Sequence, residues 1–238
     1  MLRKAKSHET AENRLLFALS RSSREALISN MQRVSLSVGD ILYHPGDTIA
    51  FVYFPVTCVI SMMTEMKNGT TIEIATVGNE GILGIAAYLG IDVAVSKAIV
   101  QVDGEALRMK AEELKQEARR EERLDTLLRR YTHALLTQIA RSGGCNSLHS
   151  VEERYVRWLL MMHDRTNVDV FAFTQEFLSE MLGVSRPRVN IVAGTLEKAG
   201  LVKHARKRIT VLNWEKLEAS SCDCYRVIKE EFDRLKIY

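Results

Sequence analysis

"SEMLGVSRPRVN", Ser179 to Asn190, reads as one helix ending and another beginning. Gly183 permits the left-handed backbone of a tight helix stop. Ser185 is a favourable N-cap, and Pro187 suits a first turn, where no backbone N–H partner is needed. Upstream, Thr174 is placed to cap a helix whose Phe177, Leu178, Met181 and Leu182 share one side. Downstream, Val189, Val192, Ala193 and Leu196 recur at helical spacing and predict a second helix packed on the first. The outer face of that helix's first turns carries Arg186, Arg188 and Asn190. The helix dipole opposes positive charge at a helix start. Arginines there gain when they meet phosphates or guanine edges.

The segment that follows, "GLVKHARKRITVLN", alternates as a β-hairpin and carries Lys203, His204, Arg206, Lys207 and Arg208. From Arg186 to Arg208 there are seven lysines and arginines against one acid, Glu197, a local charge of +6 in a chain of net charge +3. Concentrated positive charge of this kind marks a polyanion-binding surface. The pattern predicts a winged helix-turn-helix. Its candidate DNA surface is Thr174, Gln175, Ser185, Arg186, Arg188 and Asn190 on the helices, with Lys203, His204, Arg206, Lys207 and Arg208 on the wing. A solvated helix start is the plainer reading of "SRPR" alone. The capped helices, glycine turn and basic hairpin together argue against it.

Working outward, three regimes divide the chain. The first, residues 1–110, is rich in β-branched residues and turn signals. "VSLSVGDILYHPGD" breaks at Gly39-Asp40 and Pro45-Gly46-Asp47, Asn68-Gly69 is a strong hairpin signal, and "VSKAIVQVDGEALRM" reads as two strands around Asp103-Gly104. Many short strands predict an antiparallel barrel or sandwich. The second regime, residues 111–145, lacks proline, and Leu124, Leu128, Tyr131 and Leu135 recur at near-heptad spacing. A helix pairing with its twin in a homodimer is the expectation; a helix packed on its own barrel is the alternative. The third regime, residues 146–238, is helical again, with a capping box at Ser150 and Glu153. The fold class is therefore α+β: an antiparallel β jelly-roll barrel, a long dimerisation helix, and a C-terminal winged helix-turn-helix.

Hydrophobic residues make up 46% and charged residues 26%, as in soluble globular proteins. No apolar run approaches the ~18 residues needed to span a bilayer, and the N-terminus lacks a secretory apolar core, so a cytoplasmic protein without membrane association is expected. Cys58, Cys145, Cys222 and Cys224 lack a disulfide-framework pattern. Cys222 and Cys224 are close enough to ligate a metal or respond to oxidation. No second pair at ligand spacing accompanies them, and His44, His149 and His163 read as structural, so neither a metal nor a cofactor is expected. The run Gly78 to Gly84 is no phosphate fingerprint, and no hydrolase, P-loop or HExxH pattern argues for an enzyme.

On these residues the chain resembles the Crp/Fnr family of bacterial transcription regulators over nearly its whole length. "TQEFLSEMLGVSRPRVNIVAGTLEKAGLV" is similar to that family's winged helix-turn-helix, "VGNEGILG" to the Gly-Glu stretch of its cyclic-nucleotide-binding-like barrel, and Leu114 to Arg141 to its dimerisation helix. The resemblance implies a homodimer on a two-fold-related operator of double-stranded DNA, with RNA polymerase as a further partner. It also implies an effector pocket at Glu80, Gly81, Ser96 and Lys97. Members that bind cyclic AMP hold its phosphate with an arginine beside a serine or threonine; here Ser96 and Lys97 stand in "VSKAIV". A lysine lacks the bidentate fork, so tight cyclic AMP binding is not expected. No cysteine precedes Cys58, which argues against an N-terminal iron–sulfur cluster. The alternatives are an effector-independent regulator of the same fold, or a ligand- or redox-sensing module without specific DNA binding.

Overall fold

The computed structural model describes residues 12–205 and 208–236. Two short helices, α1 (Arg14–Phe17) and α2 (Arg21–Ser29), precede the strands β1 (Gln32–Leu36), β2 (Ile41–Tyr43), β3 (Phe51–Pro55), β4 (Val59–Glu65) and β5 (Thr71–Val77). A one-turn helix α3 (Ile85–Tyr88) leads to β6 (Lys97–Val102) and β7 (Gly104–Lys110). Antiparallel pairing gives two sheets, β1-β7-β3 and β2-β6-β4-β5, rather than one closed barrel. Their inward side chains share one apolar core: Val52, Phe54 and Met109 from the first sheet, Ile60, Ala98 and Val100 from the second. Asn68-Gly69 turns the β4–β5 hairpin as its sequence demands. The two strands flanking Asp103-Gly104 do not pair with each other, because the chain changes sheets there.

The proline-free run forms two helices, α4 (Ala111–Arg120) and α5 (Glu122–Leu148). Glu121 separates them in an extended conformation, its carboxylate accepting from the Arg123 N–H and the Ser23 hydroxyl. Next come α6 (Val151–Thr166), opened by the Ser150/Glu153 capping box, then β8 (Val170–Phe171), α7 (Gln175–Leu182), α8 (Arg186–Lys198), β9 (Val202–Ala205) and β10 (Arg208–Val211). The chain closes with α9 (Trp214–Ala219), α10 (Asp223–Asp233) and a final 3-10 turn. Strands β8, β10 and β9 form a third small antiparallel sheet. No helix among the described residues is long and apolar enough to cross a membrane.

One expectation is corrected by this packing. Leu124, Leu128, Tyr131 and Leu135 are all buried within the protomer. Tyr131 lies against Gly81 and Phe232. The stripe is a core face rather than a free seam. The outward side of α5 carries Arg129, His133, Leu136, Ala140, Gly143 and Ser147, a second near-heptad row.

Candidate nucleic-acid interface and barrel cavity

Thr174 caps α7, its side-chain oxygen accepting from the Phe177 N–H at 3.1 Å. Leu178, Met181 and Leu182 bury the inner face of α7. At Gly183 the backbone turns left-handed, with φ +60°, and a Cβ there would come within 2.9 Å of Ile72 on β5. The Val184 N–H then closes back on the Ser179 carbonyl at 3.0 Å. Ser185 occupies the N-cap of α8, but its hydroxyl makes no capping bond; its carbonyl accepts from Arg188 and Val189. Behind the turn the buried Arg154 of α6 donates to the Leu182 carbonyl, setting a cation at the C-terminus of α7 where the dipole favours it.

Val189, Val192, Ala193 and Leu196 face inward, as their spacing requires. Arg186, Pro187, Arg188 and Asn190 are exposed. Arg186 pairs with Glu176, at the start of α7. Gln175 is likewise exposed beside it. Ile191, 70% exposed, shares this outer face and is a residue that sequence reasoning missed. A helical phase of about 100° per residue from Val189 and Val192 turns Ile191 outward, although its apolar neighbours suggest core. An exposed isoleucine at the start of a recognition helix is suited to a thymine methyl.

The wing pairs Thr210 with Lys203 and Ile209 with His204. Strand alternation puts Lys203 outward and His204 inward. His204 shares a 3.1 Å hydrogen bond between Nε2 and the Tyr155 hydroxyl, and burial pushes its pKa down. It is thus half-buried, with its Nε2 committed to Tyr155, while it still lines a surface depression with Thr174, Gln175 and Arg208. Lys203 and Arg208 face solvent. Arg206 and Lys207 lie outside the described residues.

The first sheets enclose a separate cavity of about 60 Å³, lined by Tyr43, Ile49, Ile82, Leu83, Ala94 and Ser96 among others. Its wall is apolar apart from two hydroxyls, and the Tyr43 hydroxyl is committed to the Phe51 carbonyl. Ser96 lines this cavity and Lys97 does not. Glu80 is not there either. Its carboxylate sits 3.0 Å from Arg165 Nε and borders a different cavity, of about 170 Å³, between the barrel and helices α6 and α10. The structure therefore separates the four residues grouped by resemblance. Gly81 is required by the Tyr131 ring, which an added Cβ would meet at 2.2 Å.

The comparisons agree with this architecture. The sequence model of the Crp-like helix-turn-helix domain matches residues 153–220, and that of the cyclic nucleotide-binding domain matches residues 33–121. The chain belongs to the Crp/Fnr family. It is accordingly a DNA-binding transcription regulator. Among solved structures it is similar in fold to FixK2 from Bradyrhizobium japonicum, at TM-score 0.70 and 17% identity over 81% of this chain and 98% of that one. The c-di-GMP-responsive global regulator CLP from Xanthomonas campestris gives 0.64 and 16% over 82% and 100%. A CRP-family transcriptional regulator from Thermus thermophilus gives 0.64 and 17% over 80% and 96%. No curated protein sequence is significantly similar to the chain.

Proposed function

We propose that this Crp/Fnr regulator acts in the cytoplasm as a homodimer on a two-fold-related operator, with α8 of each protomer in successive major grooves. The observation that carries the reading is the outward face of α8. Arg186, Arg188, Asn190 and Ile191 are exposed together, with Lys203 and Arg208 of the wing also facing solvent. Arginine offers guanine a bidentate pair, whereas wing cations contact phosphate without reading sequence. The Arg186–Glu176 pair is exposed on both sides and contributes little to stability, so Arg186 is available to exchange its partner for a base edge.

Dimerisation is proposed through the outward row of α5. Leu136 is 61% exposed there, and at Gly143 and Gly144 an added Cβ would meet open space. Small residues along that row let two helices approach closely. Control by cyclic AMP is not part of the proposal: the barrel cavity lacks both a cation and room for a nucleotide, ligand pockets being typically ~300–1,000 Å³.

The test is a gel-shift series on a matched operator and a scrambled duplex. Arg186→Ala is expected to cost ~1–3 kcal/mol on the operator and little on the scrambled DNA. Lys203→Ala is expected to weaken both alike and to flatten the salt dependence. Equal weakening on both duplexes for Arg186→Ala would remove it from base reading.

A further inference from the structure

Three of the four cysteines meet outside the main apolar core. Cys145 and His149 sit one helical turn apart at the end of α5, His149 being its C-cap. Cys222 and Cys224 flank the start of α10, Cys222 as its N-cap. The three thiols are buried and form a cluster of their own, separate from the main apolar core. Their sulfurs and one imidazole nitrogen all lie within 4.8 Å of one another.

From this convergence we infer that Cys145, His149, Cys222 and Cys224 bind a single tetrahedral metal ion of the zinc class, which joins the long helix to the C-terminal helix.

The distances suit one ion. Zinc–sulfur bonds of ~2.3 Å and zinc–nitrogen bonds of ~2.0–2.1 Å, at tetrahedral angles, set ligand edges of ~3.6–3.8 Å. Cys145 Sγ and Cys222 Sγ are 3.6 Å apart, and so are Cys224 Sγ and His149 Nδ1. The ligands are too close together to be spread over several irons. The N-terminus of α10 sets its dipole at Cys222 and Cys224, where it favours thiolate ligands. Asp223 completes a second layer: its carboxylate lies 3.8 Å from His149 Nε2, the ring nitrogen that does not face the sulfurs. A carboxylate behind a ligating imidazole fixes the ring and raises its basicity. Three thiolates on a divalent ion leave one negative charge, and the buried Arg157 stands near enough to the sulfurs to balance it.

The proposal departs from the expectation that no metal site is present. Cys222 and Cys224 do have a second pair at a short bite, but it is Cys145 with His149, more than seventy residues upstream. No local pattern reports that convergence.

The test uses the full chain purified with reductant. Elemental analysis is expected to find about one zinc per chain. Titration of demetallated protein with Co²⁺ alone is expected to give the intense visible bands and thiolate charge-transfer absorption of a tetrahedral sulfur-rich site, saturating near one equivalent. Cys224→Ser and His149→Ala should each weaken Co²⁺ binding at least tenfold, while Cys58→Ala, in the barrel core, should leave it intact. Should a cluster variant fail to fold, the wild-type titration still decides. Wild-type protein that takes up neither ion overturns the proposal. So does acid-labile sulfide in iron-containing protein, or a Cys145–Cys222 disulfide as the resting state under cytosolic reductant.

Discussion

Glu80 and Arg165 form an ion pair at 3.0 Å in which each side chain is only 5% exposed. It links the turn after β5 to the last turn of α6, the barrel to the DNA-binding half of the chain. Arg165 also donates to the carbonyls of Met161 and Thr76 and to Gln138 of α5. Removing one partner from a buried pair strands the other charge, which costs about 3–5 kcal/mol. Glu80→Ala should therefore lower stability by that order in chemical denaturation. Replacing both, as Glu80→Leu with Arg165→Met, should recover much of that stability, because an apolar pair needs no desolvation. A Glu80→Ala protein with an unshifted midpoint would mean that other contacts hold the two halves together.

Glu73 on β5 supplies a pH dependence. Burial pushes its pKa up to about 7, against the opposing effects of the Ser61 hydrogen bond and the charges of Arg157 and Arg165. Ser61 Oγ donates to it at 2.6 Å. Between its ordinary carboxylate range and about 7, the folded chain retains a proton that the unfolded chain has released. Folded protein then binds more protons, so this group's contribution falls as pH rises through that window and levels off above it. His163 and His204 have pKa values lowered by burial and act in the opposite sense. The difference between wild type and Glu73→Gln isolates the carboxyl. The variant should melt with wild type near pH 5 and above it at pH 8. Parallel melting curves across that range would show that Glu73 ionises freely.

The barrel cavity should not hold cyclic AMP. Its polar lining is hydroxyl, and Lys97 lies outside it. A buried phosphate requires charge-assisted hydrogen bonds, which arginine supplies in pairs. Isothermal titration with cyclic AMP is expected to show no binding heat at micromolar concentrations. A dissociation constant in the micromolar range or tighter would return Lys97 to the phosphate.

What the sequence revealed follows from locality. The Asn68-Gly69 hairpin, the Ser150/Glu153 capping box, the Thr174 cap and the Gly183 turn are decided within a few residues, and all are present as read; Ser185 takes the N-cap position of α8 without a side-chain capping bond. What it concealed is what each face meets. Periodicity put Leu124, Leu128, Tyr131 and Leu135 on one side of a helix but did not say whether that side meets a barrel or a twin. The resemblance grouped Glu80 with Ser96, although an arginine eighty-five positions downstream claims the carboxylate. Arg154, Arg157 and Arg165 are each buried in α6, which is enclosed between barrel and winged helix, and that burial is set by what packs around the helix rather than by its own sequence. Glu121 interrupts the long helix through a contact to Ser23 that no helix propensity encodes.

The two faces of α5 give opposite expectations for the same substitution. Leu128 is fully buried in the protomer, so Leu128→Glu places a charge in the core, where it cannot be solvated. Its effect should be loss of the folded state, seen as a collapsed melting transition, rather than clean dissociation. Leu136 is 61% exposed in the protomer, one turn before Ala140 and two before Gly143. Leu136→Glu costs the isolated chain little, since the carboxylate stays in water. In a paired helix the same group faces its own copy, where the two like charges repel and no leucine remains to pack across the seam. Sedimentation of Leu136→Glu should therefore give folded monomers with wild-type helix content. Two recognition helices ~34 Å apart bind a two-fold operator jointly. The monomer should fall toward half-site affinity on the operator and change little on scrambled DNA. A Leu136→Glu protein that sediments as a dimer would move the interface off this face of α5.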